Sequence, residues 1–319
     1  PTVRYPSGPS EFTIPESGAS WEPIIFAFGG SESGGDVTGS GTVDVTVSGF
    51  DINGDDKQPD ARRAAGILTR NVSGEVSDNT IQEMGVGGKE TFGILTYGNS
   101  DLSILDNEVD AYERGVIGAV GDGDAHPAPT ADIRGNTVIG STGIGEAWGP
   151  NGIEIGFGAE GKIIDNEVQD NRYSDSAWTA AGIIVFESDG VQVMRNSVTN
   201  SDVGIASGSW AWFLSSADNI KITKNDVHEA NAGVLLQAVA WDGYSQSDPS
   251  VSNNKVTNNT VTDPGTDDDD TGVAIDAIDA HPDYDPAAEN NKIVRNTITG
   301  YEEQISDDGT GSKIHAIEP

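Results

Sequence analysis

The sequence predicts an all-β chain built as one solenoid of short stacked strands, and three observations predict it. The first is an internal repeat. The pattern (Val/Ile)-x-x-Asn-x-(Val/Ile) returns at Val76–Ile81, Ile104–Val109, Ile133–Val138, Ile163–Val168, Val193–Val198, Ile222–Val227, Val256–Val261 and Ile293–Ile298. The second is a Gly-(Ile/Val) step in phase with it, at Gly66, Gly93, Gly115, Gly152, Gly182, Gly204, Gly233 and Gly272. The third is composition: 54 Val and Ile stand against seven Leu, which suits short β-branched strands and leaves too little Leu, Ala and Lys for amphipathic helices.

The repeated Asn residues (Asn79, Asn107, Asn136, Asn166, Asn196, Asn225, Asn259 and Asn296) are 28 to 37 residues apart. A period of that size is the mark of a solenoid. A weaker copy, Val43 to Asn53, precedes the first full repeat. A leucine-rich repeat also sets an Asn after such a stretch, and Ile220 to Val227 passes that test, but seven Leu argue against it. A parallel β-helix accounts for period and composition together: about 30 residues wrap once as three strands, each pairing with its copy about 4.8 Å away in the next coil. The expectation is therefore a single domain of about 8–10 three-stranded coils over residues 43–319. Residues 1–42 form an N-terminal cap and incomplete first coil that includes Trp21 to Phe28 and covers the open end of the core.

Within such a stack each element has a reason. The Asn is expected to take the left-handed corner conformation and to bond the Asn above and below in a buried ladder. The Gly is read as a corner glycine that opens the next strand.

Charge and composition remove several function classes. The 319 residues carry 52 Asp and Glu against 17 Lys and Arg, a formal charge of -35. Such a chain repels nucleic-acid phosphates and anionic membranes. With no Cys there is no disulfide, thiolate metal site or cysteine nucleophile. No apolar run approaches the ~18 residues that cross a bilayer, and the chain opens at Pro1, as a processed or trimmed product would. Self-repulsion at this charge needs salt to screen it, so most carboxylates read as the solvated surface of a halophilic protein. An extracellular or cell-surface place in a high-salt environment follows as the expectation.

The spaced Ile-x-x-Asn-Thr-Val and Gly-Ile motifs resemble the right-handed parallel β-helix proteins grouped with pectate lyases, including the carbohydrate-binding and sugar-hydrolase repeats of the NosD type. The resemblance covers roughly residues 43 to 315. It implies that fold with right-handed coils, and polysaccharide binding, lyase, epimerase or glycosidase chemistry in many members. The sharper signatures are missing: no Asp-Pro-His-Glu tract, no Asn-Thr-Asp with Gly-His-Gly, no Arg-x-Pro-x-x-Arg.

Uneven spacing locates a groove. Extra residues follow the Gly strand in the third, sixth, seventh and eighth coils, and a second set precedes it in coils two, four, five and eight. Residues inserted into a solenoid leave as loops, so the Gly-strand sheet should be the floor of a groove with loop walls. Trp148 and Trp178 each lie four residues before their Gly, and Trp212 and Trp241 each lie eight after theirs. The equal offsets predict two stacked pairs, thickened by Trp210, Phe213, Tyr173 and Tyr244. Such rings either stack on sugars or pin the loops to the coil, and the offsets fit both.

Counting from each Gly, positions +2 and +4 should face the groove. The +2 row reads Leu68, Leu95, Ile117, Glu154, Ile184, Ala206, Leu235 and Ala274, with Glu154 its one charge. The +4 row offers Arg70, Tyr97, Gln237 and Asp276, and Glu187 sits one further along in the fifth coil. Glu154 and Glu187 are the catalytic candidates, since a glycosidase needs two carboxyl groups about 5 or 6.5–9.5 Å apart. Trp148, Trp178, Trp212, Trp241, Tyr97, Gln237 and Asp276 are the substrate-binding candidates.

No cofactor is required by this reading, and calcium is the metal the acidic motifs would take. Asp279, Asp283 and Asp285 are the metal candidates. Asp122, Asp124 and His126 form a shorter echo, Asp51, Asn53 and Asp55 have calcium-loop spacing, and Asp267–Asp270 read as a solvated loop. Asn71 and Asn258 head glycosylation sequons. The functional expectation is a β-helix that binds a polysaccharide or other glycan, either as a lyase or glycosidase or without catalysis. The alternative is a structural or adhesion subunit, a spike, fibre or surface-layer component, assembled as a homo-oligomer or filament.

Overall fold

The computed structural model describes residues 2–4, 10–55, 59–84, 90–110, 114–123, 125–140, 149–173, 180–243, 245–263, 271–281 and 283–317. Every regular element among them is a strand, and three parallel sheets wrap one core. The strand before each Asn builds the first sheet, starting from Val43–Ser48, Val72–Ser77, Asp101–Leu105 and Thr130–Arg134. The strand after the Asn builds the second, in which Thr2–Arg4 is followed by Asp51–Asn53, Thr80–Gln82, Glu108–Asp110 and Thr137–Ile139. Gly strands build the third, through Arg63–Arg70, Glu90–Tyr97, Gly115–Val120, Asn151–Gly156 and Ala181–Phe186 to Thr271–Ala280 and Glu303–Asp307.

Like residues stack on like. Ile67, Ile94, Ile117, Ile153, Ile183, Ile205, Val234 and Val273 occupy one register row, each 0 or 1% exposed. Burying each of them contributes about 1.5–3 kcal/mol, and β-branched rotamers suit the pleat. This row is the core side of the Gly-strand sheet.

The Asn ladder runs the whole stack. From Asn79 to Asn296, each Nδ2 donates to the Oδ1 of the next Asn at 2.9–3.0 Å. The same Oδ1 accepts the backbone N–H of its neighbour, as Asn166 does from Asn136 at 3.0 Å. All eight are at most 2% exposed. The left-handed residue is not the Asn but the one before it: Asp78, Asp106, Gly135, Asp165, Arg195, Lys224, Asn258 and Arg295 have φ of 52 to 64°. The Asn itself stays free to aim its amide inward.

The repeated Gly also differs from the expected corner role. Gly204 does not adopt positive φ; a Cβ there would lie 2.4 Å from Val227 Cγ1 and 2.5 Å from the Gly233 carbonyl oxygen. Close approach of two sheets at the corner, not backbone handedness, demands glycine.

The N-terminal segment contributes strands of its own. Ala19–Phe28 pairs in parallel with Arg63–Arg70, so the Gly-strand sheet begins inside residues 1–42. Phe12–Ile14 turns back antiparallel on it, and this segment lies over the outer face of the first Gly strands. Ile14, Trp21 and Val37 pack there on Ala65, Leu68, Leu95 and Tyr97 as a second apolar cluster outside the main core. A buried ion pair clamps it: Arg70 Nε donates to both Glu16 oxygens at 3.0 and 2.9 Å.

Candidate functional site

Beyond that cover, the outer face of the Gly-strand sheet forms the floor of a groove enclosing about 410 Å³. Ala181, Ile184, Val203, Ala206 and Leu235 make an apolar platform. Asn151 and Glu154 stand at one end and Gln237 toward the other. Asn151 Nδ2 reaches Glu154 Oε2 at 3.5 Å, and Arg114 donates to the Gly149 carbonyl at 2.6 Å beside them. Glu154 is the one carboxylate among the described residues that line the groove.

Register corrects one row. Gly115 pairs with Phe92 and Ile117 with Ile94, so the third coil is shifted by one residue from the expected phase. Ile117 therefore points into the core, and Gly118 sits on the outer face between Leu95 and Glu154. Leu68, Leu95 and Tyr97 do face outward but are covered by the N-terminal segment. Tyr97 is 4% exposed and meets Trp21 edge to face at 5.8 Å; burial pushes its phenol far above the usual range, with Arg63 opposing. It is a packing residue, not a groove contact.

Aromatic rings build one wall. Phe186 meets Trp210 at 5.6 Å and Trp212 at 5.8 Å, and Trp210 meets Trp212 at 5.1 Å and Trp241 at 5.5 Å, all edge to face. Trp212 and Trp241 are thus both in the groove, where Trp210 meets Trp241 edge to face. The strand ends at Ser209, and the chain's turn there moves Trp210 against Trp241. Trp148 and Trp178, with Asp124, Tyr244 and Asp267–Asp270, lie outside the described residues.

Glu187 is what holds that wall, and it is buried behind the groove, not among its lining. It is 0% exposed, at φ 49°. Its Oε1 accepts the backbone N–H groups of Trp212 at 2.7 Å and Trp210 at 3.3 Å, and its Oε2 those of Phe213 at 2.9 Å and Leu214 at 3.1 Å. Burial raises its pKa, and the four amides pull it back. Both oxygens of Glu187 are thus engaged by the wall's own backbone, and of the two candidate carboxylates only Glu154 lines the groove.

At the far end Gln237 Nε2 donates to Asp276 Oδ2 at 3.4 Å. Burial, and then the charge of Asp308, raise the Asp276 pKa, with Gln237 opposing. The metal candidates Asp279, Asp283 and Asp285 are exposed. Among the described residues no three His, Cys, Asp or Glu side chains converge in a way that could hold a metal ion. Asp285 instead sits with its backbone N–H donating to Asp248 Oδ1 at 3.0 Å, and His126 folds back on Asp122, its Nδ1 2.6 Å from Oδ2. The sequon at Asn71 is buried, its Nδ2 bonded to the Gly39 carbonyl at 2.9 Å, whereas Asn258 is exposed.

Residues that the spacing did not single out are Arg114, Asn151, Phe157 and Phe186. Phe186 occupies the +4 position of the fifth coil, where an aromatic in an outward row was a readable signal. Asn151 faces outward one residue before its Gly, a row that the count from Gly omits.

In structure the chain is similar to a mutant DFA-IIIase from Arthrobacter chlorophenolicus A6, with TM-score 0.51 and 15% identity over 93% of this chain and 74% of that one. It is also similar to the A-module of the mannuronan C-5 epimerase AlgE4 of Azotobacter vinelandii, with TM-score 0.43 and 12% identity over 98% and 88%. The Dettilon tailspike protein follows with TM-score 0.39 and 13% identity over 87% and 60%. No curated protein matches the sequence. The described residues form no helix long and apolar enough to cross a membrane. Residues 92–298 match the model of the right-handed beta helix region, and the stacked parallel strands agree with it: the chain belongs to that family.

Proposed function

We propose that the protein binds a polysaccharide segment along the groove. The observation that carries this reading is the pairing of an aromatic wall, Phe186, Trp210, Trp212 and Trp241, with a flat apolar floor whose ends bear Asn151, Glu154 and Gln237. The C–H face of a sugar ring suits the first, and its hydroxyls suit the second. Glu154 alone among described groove residues could act as acid or base, while glycoside hydrolysis uses two carboxyl groups. Binding without cleavage is accordingly the reading of this groove, at a cell surface or outside the cell in brine, where the charge of -35 is screened.

The test is a panel of neutral and acidic polysaccharides incubated with the folded protein in ~1 M salt, following binding and new reducing or unsaturated ends together. Binding to at least one member without product, lost in Trp241→Ala with the fold intact, is the expected result. Product from any member would make the protein an enzyme and bring Glu154→Gln forward. Silence from the whole panel would overturn the groove assignment.

A further inference from the structure

The outer face of the sheet before the Asn is sorted by charge along the solenoid. Glu75, Ser103 and Asp132 follow one another in a single register row. The same row continues as Lys162, Gln192, Lys221, Lys255, Lys292 and Lys313. The corner beside it changes sign one coil later: Asp78, Asp106, Gly135 and Asp165 give way to Arg195, Lys224, Asn258 and Arg295. Six of the chain's eight lysines lie in these two rows, all exposed. None of the six makes an ion pair among the described residues, whereas Arg195 bonds Asp165 at 2.7 Å across the change of sign.

Four lysines on adjacent strands, about 4.8 Å apart, repel one another, and like charges directly opposite destabilise a sheet. Elsewhere this chain has carboxylates in excess, so a cationic column without partners calls for an anionic surface to face it. A linear polyanion would meet Glu75 and Asp132 along the other half of the same row. The surface that complements both halves is this face itself, reversed.

We infer that this face is the contact between two copies of the chain, packed antiparallel about a two-fold axis that lies in the face and crosses the solenoid axis at a right angle. Such an axis returns each row onto itself with its order inverted. With the axis between the coils of Lys162 and Gln192, Asp132 meets Lys221 of the second copy, Glu75 meets Lys292, and Asp78 meets Arg295, each pair occurring twice. The parallel arrangement sets Lys on Lys and is excluded by the same charges. The groove lies on the Gly-strand sheet, so both copies keep it, and the dimer does not depend on what the groove binds.

Sedimentation equilibrium of the full chain across a salt series from about 0.15 to 1 M should show a reversible dimer of twice 33.2 kDa. Lys221→Glu weakens it at least about tenfold. Asp132→Lys also weakens it by about that factor, although it lowers the net negative charge and would strengthen any association limited by bulk repulsion. The double variant, whose net charge equals that of the wild type, recovers the dimer, and Glu75→Lys with Lys292→Glu does the same as an independent pair. Far-ultraviolet circular dichroism and melting curves confirm that each variant folds. A monomer at every salt concentration overturns the proposal, as does a dimer indifferent to the single reversals, an Asp132→Lys chain that associates more tightly, or a failure of both double variants to recover.

Discussion

Replacing Glu187 by Ala tests whether one buried carboxylate organises the aromatic wall. The substitution leaves the N–H groups of Trp210, Trp212, Phe213 and Leu214 without their acceptor, three of them bonded at 3.1 Å or less. Each buried unsatisfied donor costs about 1–3 kcal/mol, partly recovered where water enters the vacated space, so a loss of about 3–5 kcal/mol is expected. Gln keeps the shape but turns an NH2 toward two donors and should lose about half as much. Urea unfolding followed by tryptophan emission reads both numbers: the midpoint falls while the slope stays constant. Because the 210–214 loop carries Trp210 and Trp212, sugar affinity should fall in parallel. A Glu187→Ala protein within about 0.5 kcal/mol of wild type, with its affinity intact, would refute the reasoning.

Asn166→Ala removes the acceptor of the Asn136 amide and the donor to Asn196 and to the Ile133 carbonyl; a loss of about 3–5 kcal/mol is expected, read by the same unfolding curve. Gly204→Ala drives a methyl against Val227 and the Gly233 carbonyl, and should cost at least about 1–3 kcal/mol. Trp241→Ala, at a side chain 39% exposed, should cost no more than about 1–2 kcal/mol and yet abolish binding in the polysaccharide panel. The pKa values of Glu187, Asp202, Asp218 and Asp276 are raised, in each case chiefly by burial. The folded chain then binds protons more tightly than the unfolded one, so stability falls as pH rises from about 4 through the folded values. Asp165, held down by Arg195, opposes this from an exposed site. Melting at pH 5 should therefore be no lower than at pH 7, and a clear drop on mild acidification would contradict the burial argument.

The repeat was legible because most coils share the same two features, an amide in the ladder and a glycine where sheets meet. Asn79 through Asn296 show the first, and Gly152 through Gly272 the second. Gly115 misled because Gly115-Val116-Ile117 reads like the other steps, while pairing sets Val116, not Gly115, in the column. Only neighbouring coils fix that register. Glu187 misled because its role belongs to a loop that begins 23 residues later, and nothing local marks a carboxylate as an amide anchor. The cover over Leu68, Leu95 and Tyr97 comes from a segment without the repeat, so spacing alone held no trace of which floor positions stay open.

A ladder of amides has a further consequence for the groove. Each coil adds one Asn, one strand to the floor and about 4.8 Å of length, while wall-building residues leave through loops that do not disturb the pairing. The cross-section of the binding surface and its extent are thereby independent variables. Removing one whole Asn-to-Asn unit on the side away from the aromatic wall, such as residues 108–136, would shorten the groove by a single step and leave Phe186, Glu187 and the tryptophans in place, whereas removing half a unit would put the ladder out of phase.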